Sequence, residues 1–227
     1  MIMQFIVENE PFAKALALVK SCVPARSTIP ILSHIVVEAK SDNTVTVRAT
    51  NLDREVEASV KADVTEAGGA ALPGEILVGL IRKLAKGGQS ELATDKKERC
   101  KIVSGSSKYD LRTLPFTDFP SAKTMADGAV EFAVDAKELL GMIGSTIYAA
   151  ASECPHVYGR GVHLHVAAAQ LIAVTCDNHR VARRTIGMPK GSATMPSVTI
   201  PVDAAGALIG FLTDVDGEVE LAVSPAL

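Results

Sequence analysis

The sequence predicts an α+β protein made of two tandem copies of one domain, each with two amphipathic helices packed on antiparallel sheets, the second copy incomplete. Three observations lead there. Strand-like alternation and helix-like apolar spacing occur twice in the same order. Landmark residues recur at a nearly constant offset. The core must be aliphatic, because hydrophobic residues reach 48 % while aromatics are only 4 % and Trp is absent.

The clearest landmark is Val174–Arg184. It begins as a strand, turns at Asp177-Asn178, and resumes with Val181, Arg183 and Thr185 alternating against Ala182, Arg184 and Ile186. Asp and Asn tolerate left-handed backbone angles, so the turn reads as a hairpin. A similar passage stands at Val47–Val60. Phe5 and Phe132 are 127 residues apart, Thr50 and Cys176 are 126 apart, Pro73 and Pro201 are 128 apart, and Glu91 and Glu218 are again 127 apart. A period this long signals tandem domains rather than a solenoid. The expected boundaries are residues 1–120 and 129–227, joined by a linker over 121–128. With Leu227 set against Cys100, the last two strands of the second domain are expected to be missing.

In chain order, Gln4–Val7 reads as a strand. Acidic residues and Pro11 then suit a helix start, and Phe12, Leu16, Val19 and Val23 recur at helical spacing up to Pro24. Lys14 falls on the opposite face and Lys20 flanks it. His34–Ala39, Thr44–Ala49 and Glu55–Val60 are β-branched or alternating strands. Ala67-Gly68-Gly69 reads as a break. Pro73 opens a second helix with an apolar face of Ile76, Leu77, Leu80, Ile81 and Leu84; Glu75, Arg82 and Lys86 lie opposite, with Lys83 at the edge. Glu91–Thr94, Cys100–Ser104 and Tyr109–Thr113 are three further strands. The prolines of Leu114–Pro120 exclude regular structure there. Phe132 restarts the pattern, with helices expected over Ala136–Ala151 and Val202–Thr213.

Composition excludes several function classes. Net charge is −3, so any basic surface is local. Cys22, Cys100, Cys154 and Cys176 fall at no disulfide-framework or metal-ribbon spacing, which favours reduced thiols and a cytoplasmic setting. The N-terminus lacks the pattern of a signal peptide, and no apolar run approaches the ~18 residues of a membrane span. A metal site from Cys154, His156, His163, His165, Cys176 and His179 would lack CxxC or HExxH spacing, so none is expected. A Cys176–His179 thiol hydrolase would lack an oxyanion site beside the sulfur. No catalytic centre and no cofactor are expected.

Four stretches, Arg26–Leu32, Thr50–Asp53, Thr113–Pro120 and Cys176–Val181, together resemble the bacterial DNA polymerase III beta subunit, the sliding clamp. The resemblance implies tandem DNA-clamp domains, three to a protomer and two protomers to a ring around duplex DNA. This chain would supply the first domain and most of the central one, without the third. Helices inside such a ring can hold DNA by charge and let it slide, since phosphate contacts are blind to sequence. Lys14, Lys20, Arg82, Lys83 and Lys86 become the candidate channel cations, and Arg26 sits where the family contacts DNA. The second-copy helices carry only Lys137 and present Glu138, Gly141, Ser145, Ala207 and Gly210 outward, which implies weak DNA contact there.

The family also receives short hydrophobic peptides from polymerase III subunits, the clamp loader and other proteins with a clamp-binding motif. The matching residues are Cys176, Asn178, His179, Arg180 and Val181, with Cys176 where Thr is usual and Asn178 where Gly is usual. The rival expectation is a clamp-fold interaction module that has lost ring closure and DNA binding.

Overall fold

The computed structural model describes residues 2–24, 27–84, 86–120, 128–151 and 157–225, the side chains of 157 and 158 excepted. The chain forms two compact units, Met1–Ala122 and Lys123–Leu227.

In the first unit, β1 (Gln4–Glu8) leads directly into α1 (Asn9–Lys20). A four-stranded antiparallel sheet follows, built from β2 (His34–Lys40), β3 (Thr44–Thr50), β4 (Glu55–Lys61) and β6 (Gly68–Pro73) in the order β4-β3-β2-β6. Between β4 and β6 lies β5 (Asp63–Glu66), which pairs with β1 in a second sheet. That sheet is completed by β7 (Gln89–Thr94), β8 (Arg99–Ser104) and β9 (Ser107–Arg112), in the order β5-β1-β7-β8-β9. The second helix, α2 (Gly74–Ile81), follows β6 without a loop.

The core joins α1 and α2 to both sheets through Phe5, Phe12, Leu16, Val19, Ile35, Val47, Leu77, Ile81, Leu92 and Ile102, all essentially inaccessible. Phe5 and Phe12 meet edge to face, with centroids 6.2 Å apart and planes at 79°, the arrangement their quadrupoles favour. Buried Asn9 is satisfied: its N–H donates to Gly88 O at 2.9 Å and its Oδ1 accepts from Ser90 Oγ at 2.5 Å.

The second unit repeats this plan. β10 (Val130–Asp135) precedes α3 (Ala136–Thr146), and Asp135 caps the helix through the N–H groups of Lys137 and Glu138. The four-stranded sheet β13-β12-β11-β14 is made of β11 (Gly161–Ala167), β12 (Gln170–Cys176), β13 (Val181–Gly187) and β14 (Val198–Pro201). Then come α4 (Val202–Leu212) and β15 (Glu218–Val223), which pairs with β10. The unit's core is mainly aliphatic, as composition predicts, with Val134, Leu139, Met142, Ile143, Val162, Leu164, Leu171 and Leu212 packed with Phe132.

Several expectations are corrected. Gly68 and Gly69 lie within β6 rather than breaking it: a Cβ on Gly68 would sit 2.5 Å from the Ile2 carbonyl oxygen, so glycine there permits a close backbone approach. The first helix ends at Lys20 and the third at Thr146, with a 3₁₀ turn over Ile147–Ala149. The second helix ends at Ile81. Its buried face is Leu77, Val78 and Ile81, and Ile76 is 55 % exposed, because 100° per residue carries position 76 away from that stripe. A short 3₁₀ turn, Phe116–Asp118, interrupts the proline-rich stretch.

The repeat offset also needs revision at one anchor. Phe5 pairs with Leu92 and Phe132 with Leu221, so Glu91 corresponds to Glu220 rather than Glu218, an offset of 129 (220 − 91). The passage from the second helix to the following strand is one residue longer in the second copy, 20 residues from Pro201 to Leu221 against 19 from Pro73 to Leu92.

Candidate functional site

Two regions gather the predicted residues, one in each unit. On the first, α1 and the turn beyond α2 bound a groove lined by Asn9, Glu10, Ala13, Lys14, Ala17, Ile81, Arg82, Leu84 and Lys86. Three of the predicted cations, Lys14, Arg82 and Lys86, therefore share one surface. Arg82 and Lys83 do not lie on the face of α2. Their N–H groups bond Val78 O at 3.1 Å and Leu80 O at 2.9 Å, tightening the helix end, and both side chains are exposed. Lys83 does not line the groove. Lys14 is exposed and pairs with Glu10 one turn back at 3.3 Å, a contact worth about 0.3–0.5 kcal/mol that yields easily to a stronger anion. Lys20 is committed differently, with its Nζ 2.9 Å from Glu75 Oε1. Arg26 lies outside the described residues.

In the second unit the β12–β13 hairpin holds the other set. Asp177 opens its turn: Oδ1 accepts the N–H groups of His179 at 3.1 Å and Arg180 at 2.9 Å, and Oδ2 accepts from Arg180 Nε at 2.8 Å. Burial pushes the Asp177 carboxyl up, but those backbone donors and the guanidinium together hold it below the usual carboxylate value. Asn178 takes the left-handed conformation at φ 70°, as the Asp-Asn pair suggested. Cys176 is half-buried at the mouth of the hairpin, and its Sγ accepts the Asn178 N–H at 3.4 Å. His179 and Arg180 are exposed, and Val181 is 65 % exposed. The five residues thus form one contiguous, solvent-facing hairpin end.

The first unit repeats this turn. Asn51 Oδ1 accepts from Asp53 N at 3.1 Å and Arg54 N at 2.8 Å, and Leu52 has φ 76°. Pairings Thr50–Glu55 and Cys176–Val181 occupy the same register.

Sequence reasoning missed Tyr148. It follows α3 in the 3₁₀ turn, is 61 % exposed, and has the Arg180 guanidinium 5.6 Å from its ring centroid. The only advance signal was an aromatic just past an amphipathic helix, which carries no meaning without the fold. Gly141 and Ala207 are half-buried rather than outward, and the Arg184 guanidinium lies over Gly141, where a Cβ would meet it at 3.1 Å. Glu138, Ser145 and Gly210 are exposed. Lys137 pairs with Asp216 at 2.8 Å.

On β11 the rings of His163 and His165 are 5.2 Å apart, and His163 Nδ1 lies 3.1 Å from Thr199 Oγ1. Burial, then the neighbouring His165, lowers the His163 pKa. No group of three or more His, Cys, Asp or Glu side chains able to hold a metal occurs among the described residues; Cys154 and His156 lie outside them. Burial pushes the Cys100 thiol up to about 12, too high for a thiolate nucleophile near neutral pH. No described helix is long and apolar enough to cross a membrane.

A fold of two helices under two antiparallel sheets, present twice in one chain, is that of DNA-clamp proteins, and comparison with known proteins gives the family. The family model for the DNA polymerase III beta subunit N-terminal domain matches residues 3–124, and that for its central domain matches residues 133–227. The chain belongs to this family, the beta sliding clamps. The beta sliding clamp of Caulobacter vibrioides (strain NA1000 / CB15N) is 32 % identical over 229 residues, covering 98 % of this chain and 61 % of that relative. A crystal structure of a sliding clamp from Bartonella birtlesii, bound to griselimycin, superposes with a TM-score of 0.93 at 32 % identity over 99 % of this chain and 60 % of that one. The C. crescentus clamp with PEG bound to a putative beta-motif tethering region gives 0.93 at 31 % identity, over 99 % and 61 %. The chain spans about 60 % of the length of the relatives it matches.

Proposed function

We propose that this chain acts as part of a sliding clamp, a non-catalytic processivity factor that encircles duplex DNA and tethers the replicative polymerase in the cytoplasm. Its two units, with boundaries near 1–120 and 129–227, serve as consecutive clamp domains of an oligomeric ring. One observation carries the reading: Lys14, Arg82 and Lys86 line a common groove beside α1, a cluster of cations that can exchange phosphates without touching bases. Lys83 adds to the same electrostatic field and Arg26 is included on the family resemblance alone, while Lys20 contributes less because Glu75 holds it. The β12–β13 hairpin, with Cys176, Asn178, His179, Arg180 and Val181, contributes to a pocket for peptides from polymerase III subunits, the clamp loader and other clamp-binding proteins. An exposed apolar side chain flanked by polar donors suits such a ligand.

The test is retention on closed circular plasmid against release from linearised plasmid, with light scattering to fix the oligomer present. Retention that disappears on linearisation and in Arg82→Glu/Lys86→Glu supports the reading. Retention that survives both charge reversals moves the DNA face elsewhere. Absence of any salt-dependent DNA binding favours the second reading, a clamp-fold interaction module.

A further inference from the structure

The second unit carries a cation on its helix layer that its helices do not supply. α1 begins at Asn9 and α3 at Ala136, and the strands before them align Phe5 with Phe132. Lys14 and Gly141 therefore hold the same place, each five residues past its helix start (14 − 9 and 141 − 136). The edge strands align as well. Thr50–Glu55 and Cys176–Val181 are equivalent pairs, so Ala58 on β4 corresponds to Arg184 on β13, each three residues further on (58 − 55 and 184 − 181). The first unit has lysine on the helix and alanine on the strand. The second has glycine on the helix and arginine on the strand.

These are two routes to one position. Arg184 stands opposite Ala173, a core residue, so by alternation it leaves the sheet on the helix side. β13 is an edge strand, so the long side chain can pass round α3 instead of entering the core, and its charged end stays in water. It ends over Gly141: a Cβ there would lie 3.1 Å from Nη2, 3.3 Å from Cζ and 3.7 Å from Nη1. The guanidinium thus fills the space in which the Lys14 side chain begins in the first unit, and glycine at 141 leaves that space open.

The charge is also uncommitted. Among the described residues no carboxylate lies within ion-pair distance of Arg184, not even that of Glu138, which is exposed three positions before Gly141. Lys14 has Glu10 beside it, and Lys137, the one basic residue of α3 and α4, is held by Asp216 at 2.8 Å. A guanidinium lying across a helix offers several donors to a phosphate without reaching a base.

We propose that Arg184 is the second unit's phosphate contact, taking the place that Lys14 holds in the first, so that each unit offers duplex DNA a cation at the same point of its own first helix. This rests on the reading of the chain as part of a DNA clamp.

The experiment titrates a short fluorescein-labelled duplex with the full chain and its variants, following anisotropy across a salt series. Arg184 is exposed, so its truncation leaves the core intact. Arg184→Ala weakens binding several-fold at low salt and lowers the magnitude of the log–log salt slope by about one unit. Arg183→Ala removes the same charge from the opposite face of the same strand and leaves the slope unchanged. Gly141→Lys in the Arg184→Ala chain rebuilds the first unit's arrangement and restores the slope, a recovery that lost packing would not allow. Three results overturn this inference alone: an unchanged slope in Arg184→Ala beside a clear loss in Arg82→Glu/Lys86→Glu, equal losses for Arg183→Ala and Arg184→Ala, or no recovery with Gly141→Lys. Absence of salt-dependent binding by the unaltered chain overturns the clamp reading and this inference with it.

Discussion

Lys20 Nζ lies 2.9 Å from Glu75 Oε1, so the last turn of α1 is fastened to the first turn of α2. An exposed pair of this kind contributes only about 0–1 kcal/mol, and its larger consequence is electrostatic. Glu75 cancels a cation on α1, the helix that bounds the groove lined by Lys14, Arg82 and Lys86. Glu75→Gln frees Lys20 to meet phosphate, so duplex affinity rises and the magnitude of the log–log salt slope grows by up to about one unit. Fluorescence anisotropy across a salt series checks this. An unchanged slope removes Lys20 from the DNA surface.

The loop between β11 and β12 is under strain. Ala168 and Ala169 both adopt left-handed angles, φ 50° and 55°, the pattern of a two-residue hairpin turn that ordinarily uses Asn-Gly. Alanine in this region costs about 1–2 kcal/mol per residue. The double substitution Ala168→Asn/Ala169→Gly therefore stabilises the second unit by about 1–2 kcal/mol, after allowing for the added freedom that glycine gives the unfolded chain. Urea unfolding monitored by circular dichroism reads it directly. A lower midpoint would show that the turn is not strained.

These features mark what could and could not be read in advance. The hairpin ends were legible because their chemistry is local: Asn51 and Asp177 make turns with residues two and three positions on. The repeat was legible for the same reason, each copy writing its own turn and helix starts. Gly68 was misread because its reason lies at the Ile2 carbonyl, brought close only by folding. The end of α2 was misread because Leu84 continues the apolar spacing after the helix has ended at Ile81. Lys20 and Tyr148 needed partners, Glu75 and Arg180, that sequence distance concealed.

Stability should fall in mild acid. Burial lowers the pKa of His163, assisted by His165, and burial also lowers that of His34 against the raising effect of the Pro30 carbonyl, both from 6.5. A folded pKa below the unfolded one means that the unfolded chain binds more protons between the two values. The contribution is therefore complete above pH 6.5 and is lost as pH falls toward the folded values. His163→Gln flattens the part of this slope that belongs to the second unit, and His34→Gln the part that belongs to the first. Denaturant midpoints from about pH 7.5 to 5 test it; a midpoint that rises on acidification would reverse the sign.

The proline-rich stretch after β9 acts as a strap across the first unit's four-stranded sheet. Leu114 exchanges two 2.9 Å hydrogen bonds with Ala71 at the sheet edge. Phe119 is then buried against Val36 and Ala71, with the Arg48 guanidinium 5.4 Å from its ring centroid and Glu55 3.6 Å from Arg48. Removing the ring leaves a cavity over the sheet and takes the face from beneath a cation. Phe119→Ala costs about 3 kcal/mol, near the lower end for a buried phenylalanine because the strap can partly collapse. Arg48→Ala costs less by itself, and the double-mutant cycle with Phe119→Ala returns a coupling of about 0.5–1 kcal/mol. Urea denaturation of the four species decides it. A loss below about 0.5 kcal/mol for Phe119→Ala would mean that the strap merely lies on the sheet and does not hold it.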